Sequence, residues 1–216
     1  MKLVHRSCQI TLLAVLAFLS KSVDSARDGA FIGYTEKNED GGVIRAESQE
    51  YTHIVMTTSY GKIRIRPRKD VSPKIVSLVE NLARKAVCNS CHFYRHEPVP
   101  VNWGMPGNWD QWGPPYALLQ GSLADMEKKP EFEGNPVVKK GDVCIIPNCS
   151  EFFIAKADHD EWGTAHSVWG KVEDDESWAT IAAIPMEPFT TLTDSGNITT
   201  RWLTPDAHIP FKLTLE

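Results

Sequence analysis

The chain has 216 residues, of which 42% are hydrophobic, which is enough for one ordinary core and too few for two comfortable domains. Its formal net charge is -5, and an acidic balance argues against a nucleic-acid partner. The sequence has no Gly-x-Ser-x-Gly elbow, P-loop or His-Glu-x-x-His motif, so hydrolase, nucleotide-binding and metalloprotease functions have no support.

Residues 1–25 are organised as a secretory signal peptide, with a basic start, an apolar stretch from Ile10 to Leu19, and Ser25 before the expected cleavage point. The apolar run is shorter than the ~20 residues that a membrane-spanning helix needs, so an uncleaved signal anchor is the less favoured alternative. Residues 26–50 are polar and charged, which predicts a flexible leader. A folded domain is expected over 51–216, in the endoplasmic reticulum or Golgi lumen or outside the cell, with no membrane association once mature.

Secretion favours disulfide bonds, because the mature chain keeps an even number of cysteines in an oxidising compartment. These cysteines are Cys88, Cys91, Cys144 and Cys149. Four cysteines allow three pairings, and the sequence does not choose among them. The alternative is a zinc site made by the same four residues, with His92 and His96 nearby. Catalytic disulfide exchange is disfavoured, since reactive pairs lie at a helix N-terminus and Cys88 follows the end of a predicted helix.

Two N-glycosylation sequons fit the same compartment, at Asn148 and Asn197. Asn197 is the preferred acceptor because it follows Ser195-Gly196 in a predicted polar turn. Asn148 lies beside Cys149 and directly before an apolar run, which makes it the second choice.

The folded domain is predicted to begin with a β-hairpin. Segments 53–58 and 62–66 are rich in strand-forming residues and flank a turn that contains Gly61. Ile63 and Ile65 alternate with basic residues, so the second strand should have one buried face and one solvated face.

A helix is predicted to follow, with Ser72 as its N-cap and Pro73 at its first position. Apolar residues recur at helical spacing to near Val87, and a second short helix is expected within 173–184. The remaining strand-like segments are 91–95, 116–120, 143–146, 151–155, 167–172 and 211–215. Many short strands with one early helix predict a closed or nearly closed antiparallel barrel flanked by helices.

The order of these elements and five separated motifs resemble the cyclophilins, a family of peptidyl-prolyl cis-trans isomerases. The motifs are, in chain order, Ser72-Pro73-Lys74, Phe93-Tyr94-Arg95, Gln120-Gly121-Ser122, Ser150-Glu151-Phe152-Phe153-Ile154, and the pair Trp162 and His166. The resemblance covers about residues 52–216. It implies a mainly β fold, with a closed eight-stranded antiparallel barrel and two capping helices.

The resemblance further implies a prolyl isomerase that binds Xaa-Pro segments of peptides or client proteins and lowers the rotation barrier of the prolyl amide. Such a protein would act as a monomer, without a metal or cofactor. Arg95 would be the catalytic residue, donating to the prolyl nitrogen. The residues expected to bind the substrate are Phe93, Leu118, Gln120, Ile146, Glu151, Phe153, Trp162 and His166.

Prolyl isomerisation is chemistry that these residue types can perform. Rotation about the amide crosses a barrier of roughly 18 to 20 kcal/mol, and a donor aimed at the pyramidal nitrogen of the twisted state stabilises that state. The guanidinium of Arg95 is always charged and planar. An acceleration of about 10⁵-fold requires about 7 kcal/mol, whereas one charge-assisted hydrogen bond contributes roughly 1.5 to 3 kcal/mol. The apolar pocket must therefore supply much of the effect.

Several departures from the family pattern favour an alternative, a non-catalytic cyclophilin-like module that binds peptides or proteins. Ala117 stands where the family has a phenylalanine, which removes apolar wall unless Tyr116 turns to replace it. Glu151 replaces a glutamine and could pair with Arg95. The chain is also shortened near Ile146, where the family presents backbone to the substrate.

A tryptophan-rich insertion at 96–115 is the largest addition to the pattern, and it carries Trp103, Trp109 and Trp112. A loop of this length is usually functional or disordered. It is expected either to fold over the pocket mouth or to pack its tryptophans on the barrel exterior. A third class, a disulfide- or zinc-stabilised structural domain, explains the cysteines but not the ordered motifs. His53, His159 and His208 are assigned no role.

Overall fold

A computed structural model describes residues 36–37, 43–44, 51–86, 88–101, 103, 116–193 and 199–216. The predicted signal peptide, most of the predicted leader, Asn197, and Trp109 and Trp112 of the insertion lie outside these ranges. The chain divides into two units, residues 1–50 and 51–216. In the first unit, the short strands β1 (Glu36–Lys37) and β2 (Val43–Ile44) pair with each other in antiparallel fashion.

The second unit is built on one antiparallel sheet, in which nine strands of the described residues follow the order β12-β5-β6-β8-β7-β9-β4-β3-β13. The strands are β3 (Ile54–Thr58), β4 (Gly61–Pro67), β5 (His92–His96), β6 (Leu118–Ser122), β7 (Asp142–Ile145), β8 (Glu151–Ala155), β9 (Ser167–Lys171), β12 (Ile209–Pro210) and β13 (Lys212–Leu215). Two α-helices accompany the sheet in the described part of the chain, α1 (Pro73–Lys85) and α2 (Asp175–Ala183). Two short 3-10 helices cover Asp160–Trp162 and Pro205–Ala207.

The two edges of this sheet meet through Phe211. β12 pairs with β5 and β13 pairs with β3, and a single residue separates these two strands in the chain. Phe211 donates its backbone N–H to the carbonyl of Cys91 at 3.1 Å. Counting 209–215 as one bent strand gives the eight strands expected from the sequence. The predicted fold class is confirmed: mainly β, an almost closed antiparallel barrel with two helices.

The barrel interior is filled by the alternate residues of its strands. Ile63 and Ile65 of β4 are fully buried, while Lys62 and Arg66 of the same strand are exposed, as the alternation predicted. Trp169 is the largest fully buried side chain among the described residues. Together with aliphatic residues of α1, these side chains form one contiguous core.

Both predicted helices are present, but the first is capped differently from the prediction. Ser72 occupies the N-cap position without a side-chain capping bond, and its hydroxyl instead donates to the Glu133 carbonyl at 3.0 Å. The Glu133 carboxylate accepts the backbone N–H groups of Lys74 and Ile75 at 3.0 and 3.1 Å. A distant carboxylate therefore satisfies the helix start. Within the described residues, no helix is long and apolar enough to cross a membrane.

A hairpin that the sequence did not predict follows α2. It consists of β10 (Phe189–Thr193) and β11 (Thr199–Leu203), which pair in antiparallel fashion. The strands are largely exposed and rich in threonine, so they lack the apolar alternation that marks a half-buried strand. Trp202 of β11 nevertheless reaches the candidate site described below.

The cysteines correct the predicted four-cysteine framework. Cys88 and Cys91 form a disulfide with their Cα atoms 5.2 Å apart, whereas Cys144 and Cys149 remain buried thiols. Cys144 is fully buried in a hydrophobic cluster, and the Cys149 thiol donates to the Ile146 carbonyl at 3.3 Å. The zinc alternative with all four cysteines is wrong, because Cys88 and Cys91 are bonded to each other and neither Cys144 nor Cys149 lies in the group of possible ligands around them.

Candidate functional site

An irregularity in strand β5 sets the directions of Phe93 and Arg95. A regular strand would place these two residues on one face, but the pairing of β5 with β6 shifts register between them. Phe93 lies opposite Gly121, and Arg95 lies opposite Gln120. Because an inserted residue reverses the alternation, Phe93 points into the barrel and Arg95 points to its outer face.

This geometry corrects the prediction that Phe93 binds substrate. Phe93 is fully buried between Phe152 and Phe211, with ring centroids 5.7 and 4.8 Å away. Gly121 is required opposite it, since a Cβ there would lie 3.0 Å from the Phe93 ring and 2.6 Å from the carbonyl oxygen of His92. Phe93 therefore belongs to the core.

The outer face carries a small apolar cluster that brings together most of the predicted binding residues. Phe153 pairs with Gln120 across β8 and β6. The rings of Trp162 and His166 stand edge-on to Phe153, at centroid distances of 5.3 and 5.0 Å. Leu118 and the partly buried Ile146 pack in the same cluster. We refer to Leu118, Phe153, Trp162 and His166 as the apolar cup.

Arg95 lies beside the cup and is enclosed on several sides. Its Nε donates to Glu97 Oε1 at 2.6 Å, its Nη2 also pairs with that oxygen, and its Nη1 donates to Gln120 Oε1 at 3.0 Å. The guanidinium carbon lies 4.3 Å from the Tyr116 ring centroid and 5.5 Å from that of Trp202. Only 6% of Arg95 is exposed. We call Glu97, Tyr116 and Trp202 the arginine cage.

The expected pairing of Glu151 with Arg95 is wrong. Glu151 lies opposite Ser122 in the strand register, two residues beyond Gln120, and its carboxylate interacts with the Tyr94 hydroxyl. Burial, together with the charge and hydrogen bond of Glu151, raises the pKa of Tyr94 well above its ordinary value. Glu97, which follows Arg95 by two residues and lies directly after strand β5, is the partner instead.

Tyr116 replaces the missing apolar wall, as the sequence allowed. Ala117 adopts a left-handed conformation with φ of 36°, which is strained for a residue with a Cβ. The Tyr116 ring lies over Arg95 and approaches the Trp162 ring with centroids 6.1 Å apart. Tyr116 thus connects the cup with the arginine cage.

His159 is a member of the site that sequence reasoning missed. Its fully buried ring stacks on Trp162, with centroids 3.6 Å apart and planes at 4°. Its Nδ1 is hydrogen bonded to Glu161 at 2.7 Å, and Trp103 of the insertion stands edge-on to it at 4.9 Å. The insertion therefore reaches the cup only indirectly, because its described tryptophan contacts His159 and His159 stacks on Trp162. No spacing rule in the sequence indicates this stack.

Glu97 and Trp202 were also missed, because both act through long-range contacts. Glu97 Oε1 accepts the backbone N–H of Arg201 at 3.2 Å as well as the guanidinium. The Trp202 ring stacks on Tyr94 with centroids 5.2 Å apart. The hairpin β10–β11 is in this way attached to the outer face beside Arg95. A glutamate two residues after a candidate catalytic arginine was the one local signal available.

No protein-family model matches the chain. No curated protein matches it either. Two solved structures of a cyclophilin-type peptidyl-prolyl cis-trans isomerase from Cryptosporidium parvum are similar, one of them obtained in the presence of the dipeptide Ala-Pro.

The first is 14% identical with a TM-score of 0.47, covering 76% of this chain and 98% of that chain. The second is 13% identical with a TM-score of 0.47, covering 77% of this chain and 98% of that chain. The roles assigned below therefore rest on the geometry of the site.

Proposed function

We propose that this protein is a peptidyl-prolyl cis-trans isomerase that binds Xaa-Pro segments at the apolar cup. Its turnover is slowed because Arg95 is paired with Glu97. The observation that carries the proposal is the position of Gln120, which holds Arg95 through its side chain and lies opposite Phe153 of the cup. A planar donor and a group of apolar side chains thus share one face of the barrel.

The chemistry needs no covalent bond and no net proton transfer. The ring of proline would pack against Phe153 and Leu118, and Trp162 would form the rim. Burial, with a smaller contribution from His159, lowers the pKa of His166 to about 4, so its ring is neutral at physiological pH and suits an apolar wall. Arg95 would donate to the prolyl nitrogen as the amide twists.

The arginine cage favours a second candidate, a peptide-binding module without turnover. Glu97 and Gln120 occupy N–H groups of the guanidinium, and aromatic rings cover its faces. Arg95 can donate to a substrate only after at least part of this cage opens. The two candidates therefore differ in whether bound peptide moves Arg95 out of its pairing with Glu97.

Exchange spectroscopy by NMR on a short Xaa-Pro peptide, with catalytic amounts of protein, separates the candidates. We expect measurable acceleration by the wild type and its loss in Arg95→Lys, which keeps the charge but loses the planar fork. Binding, followed by peptide line broadening, should persist in Arg95→Lys and weaken in Phe153→Ala. Arg66→Lys, on an exposed residue paired with Glu173, is the matched control.

Each outcome has a distinct meaning. Peptide binding without acceleration in the wild type would support the binding module. Acceleration that survives Arg95→Lys would show that Arg95 is not the donor. If the wild type neither binds nor accelerates, both candidates are wrong.

We also propose that the protein acts in the secretory pathway. Its support is the signal-like N-terminus, the disulfide between Cys88 and Cys91, and the sequon at Asn148. Asn148 lies in an exposed turn between β7 and β8 with φ of 63°, a conformation that asparagine tolerates. We expect glycan at Asn197, the preferred acceptor, and at Asn148 in chain expressed through secretory cells, and mass mapping before and after glycosidase treatment tests this. A fully cytosolic, unmodified product would contradict it.

A further inference from the structure

Lys156 lies directly after strand β8, and its amine is hydrogen bonded to two groups at the end of strand β5. Its Nζ lies 2.8 Å from His96 Nε2 and 2.8 Å from the carbonyl oxygen of Glu97. His96 is 1% exposed, and its Nδ1 lies 2.9 Å from the carbonyl oxygen of Ile184. Because a carbonyl only accepts, the proton of His96 is on Nδ1. The lone pair of Nε2 is therefore directed at the lysine amine.

The burial of this pair changes its protonation. Burial lowers the pKa of Lys156 to about 8, against an opposing effect of Glu97. Burial, reinforced by the charge of Lys156, lowers the pKa of His96 to about 4. A neutral amine and a neutral imidazole thus coexist near physiological pH in a sizeable share of molecules. Lys156 is only partly buried, whereas His96 is almost completely enclosed.

We propose that Lys156 and His96 form a nucleophile–base pair, a modification site that accepts an acyl group from a small thioester. The geometry is that of an activated nucleophile: the amine and the base are within hydrogen-bond reach, and a third group, the Ile184 carbonyl, orients the base. The acyl transfer uses neither Arg95 nor any residue of the cup.

The acyl transfer requires only the thioester and the side chains of Lys156 and His96. The Nζ lone pair of Lys156 attacks the thioester carbonyl carbon, and the new N–C bond forms. The C–S bond breaks, and its electron pair leaves on sulfur. His96 Nε2 takes the proton that the nitrogen loses and passes it to the departing thiolate, which gives an amide and a thiol with no change of oxidation state.

Acylation would alter the end of β5. An amide nitrogen has one N–H, whereas the ammonium donates to both His96 and the Glu97 carbonyl. At least one of these acceptors therefore loses its partner. The modification also removes a positive charge close to the Glu97 carboxylate, which pairs with Arg95.

The test treats the folded protein with the thioester S-acetyl-N-acetylcysteamine and follows acetylation of each lysine by peptide mass mapping. Lys212 is the internal reference, since it is exposed on β13. An amine with a pKa near 8 has roughly a hundredfold more free base at pH 7.5 than an ordinary lysine, and burial offsets part of this advantage. We expect Lys156 to react about tenfold faster than Lys212, with a rate that rises through a midpoint near pH 8. If Lys156 of the wild-type protein reacts no faster than Lys212, the proposal is wrong.

His96→Gln tests the role of the base, because glutamine can accept a hydrogen bond but not a proton. We expect the rate at Lys156 to fall about tenfold while the rate at Lys212 is unchanged, with the far-UV circular dichroism of the folded chain retained. An unchanged rate at Lys156 would overturn the pair. His96→Asn serves the same purpose if the glutamine variant does not fold.

Discussion

Glutamine in place of Glu97 should raise the acceleration of prolyl exchange by about tenfold to a hundredfold and destabilise the fold by roughly 3 kcal/mol. A charge-assisted hydrogen bond is worth about 1.5 to 3 kcal/mol, and each 1.36 kcal/mol of barrier is a factor of about ten in rate. Releasing Arg95 from its carboxylate makes this energy available to the substrate. Exchange spectroscopy on an Xaa-Pro peptide measures the rate.

The loss of stability has the same origin as the gain in rate. The side chains of Arg95 and Glu97 are 7% and 8% exposed, and removing one partner of a buried pair leaves an uncompensated charge that costs about 3 to 5 kcal/mol. Glutamine retains an oxygen for the Arg95 and Arg201 donors, so the lower end of that range is expected. Urea denaturation measures the change.

Glu173→Gln is the matched control, since Glu173 also pairs with an arginine through two hydrogen bonds. Its partner Arg66 and Glu173 itself are 47% and 52% exposed, and exposed pairs contribute at most about 1 kcal/mol. This variant should leave both stability and exchange nearly unchanged. If the folded Glu97→Gln protein catalyses prolyl exchange no faster than the wild type, pairing with Glu97 does not limit the action of Arg95.

Acidification should destabilise the fold through His166, by about 2.5 kcal/mol at pH 4.5. The pKa of His166 is lowered to about 4 by burial, whereas an unfolded histidine has a pKa near 6.5. The unfolded chain therefore binds a proton that the folded chain refuses. The stability is fully present above about pH 6.5 and is lost progressively as the pH falls towards 4.

Comparison of His166→Gln with the wild type isolates this effect. Urea denaturation at pH 7.0 and pH 4.5 gives the loss of stability on acidification for each protein. The loss should be smaller in His166→Gln by about 2.5 kcal/mol, while His96, whose pKa is also lowered to about 4, remains in both proteins and cancels. Equal losses in the two proteins would contradict the assignment to His166.

Local periodicity accounts for the parts of the fold that were predicted well. The alternation around Ile63 and Ile65 predicted both faces of β4, and the apolar spacing from Ile75 predicted the buried face of α1. The run from Glu151 to Ala155 is a strand with the predicted bounds. Each of these elements could be predicted because its apolar pattern lies within one short segment of the chain.

The errors at the site have a different physical cause. The reversal between Phe93 and Arg95 depends on an irregular pairing with β6 that periodicity does not encode. Trp202 lies more than a hundred residues after Arg95, and its strand lacks an apolar pattern. Phe153, Trp162 and His166 of the cup were predicted because they stand in motifs that resemble the cyclophilin pattern, whereas Trp202 reaches Arg95 only across the fold.

The shared oxygen of Glu97 makes the hairpin and the site thermodynamically linked. Oε1 of this residue holds the Arg95 guanidinium and also the backbone N–H of Arg201. A ligand that draws Arg95 away changes the charge environment of the bond that fastens β11, and by reciprocity whatever detaches β11 changes the affinity for that ligand. Strands β10 and β11 are thus coupled to the proposed peptide site, and a change in how β11 is held should change peptide affinity without any contact with the cup.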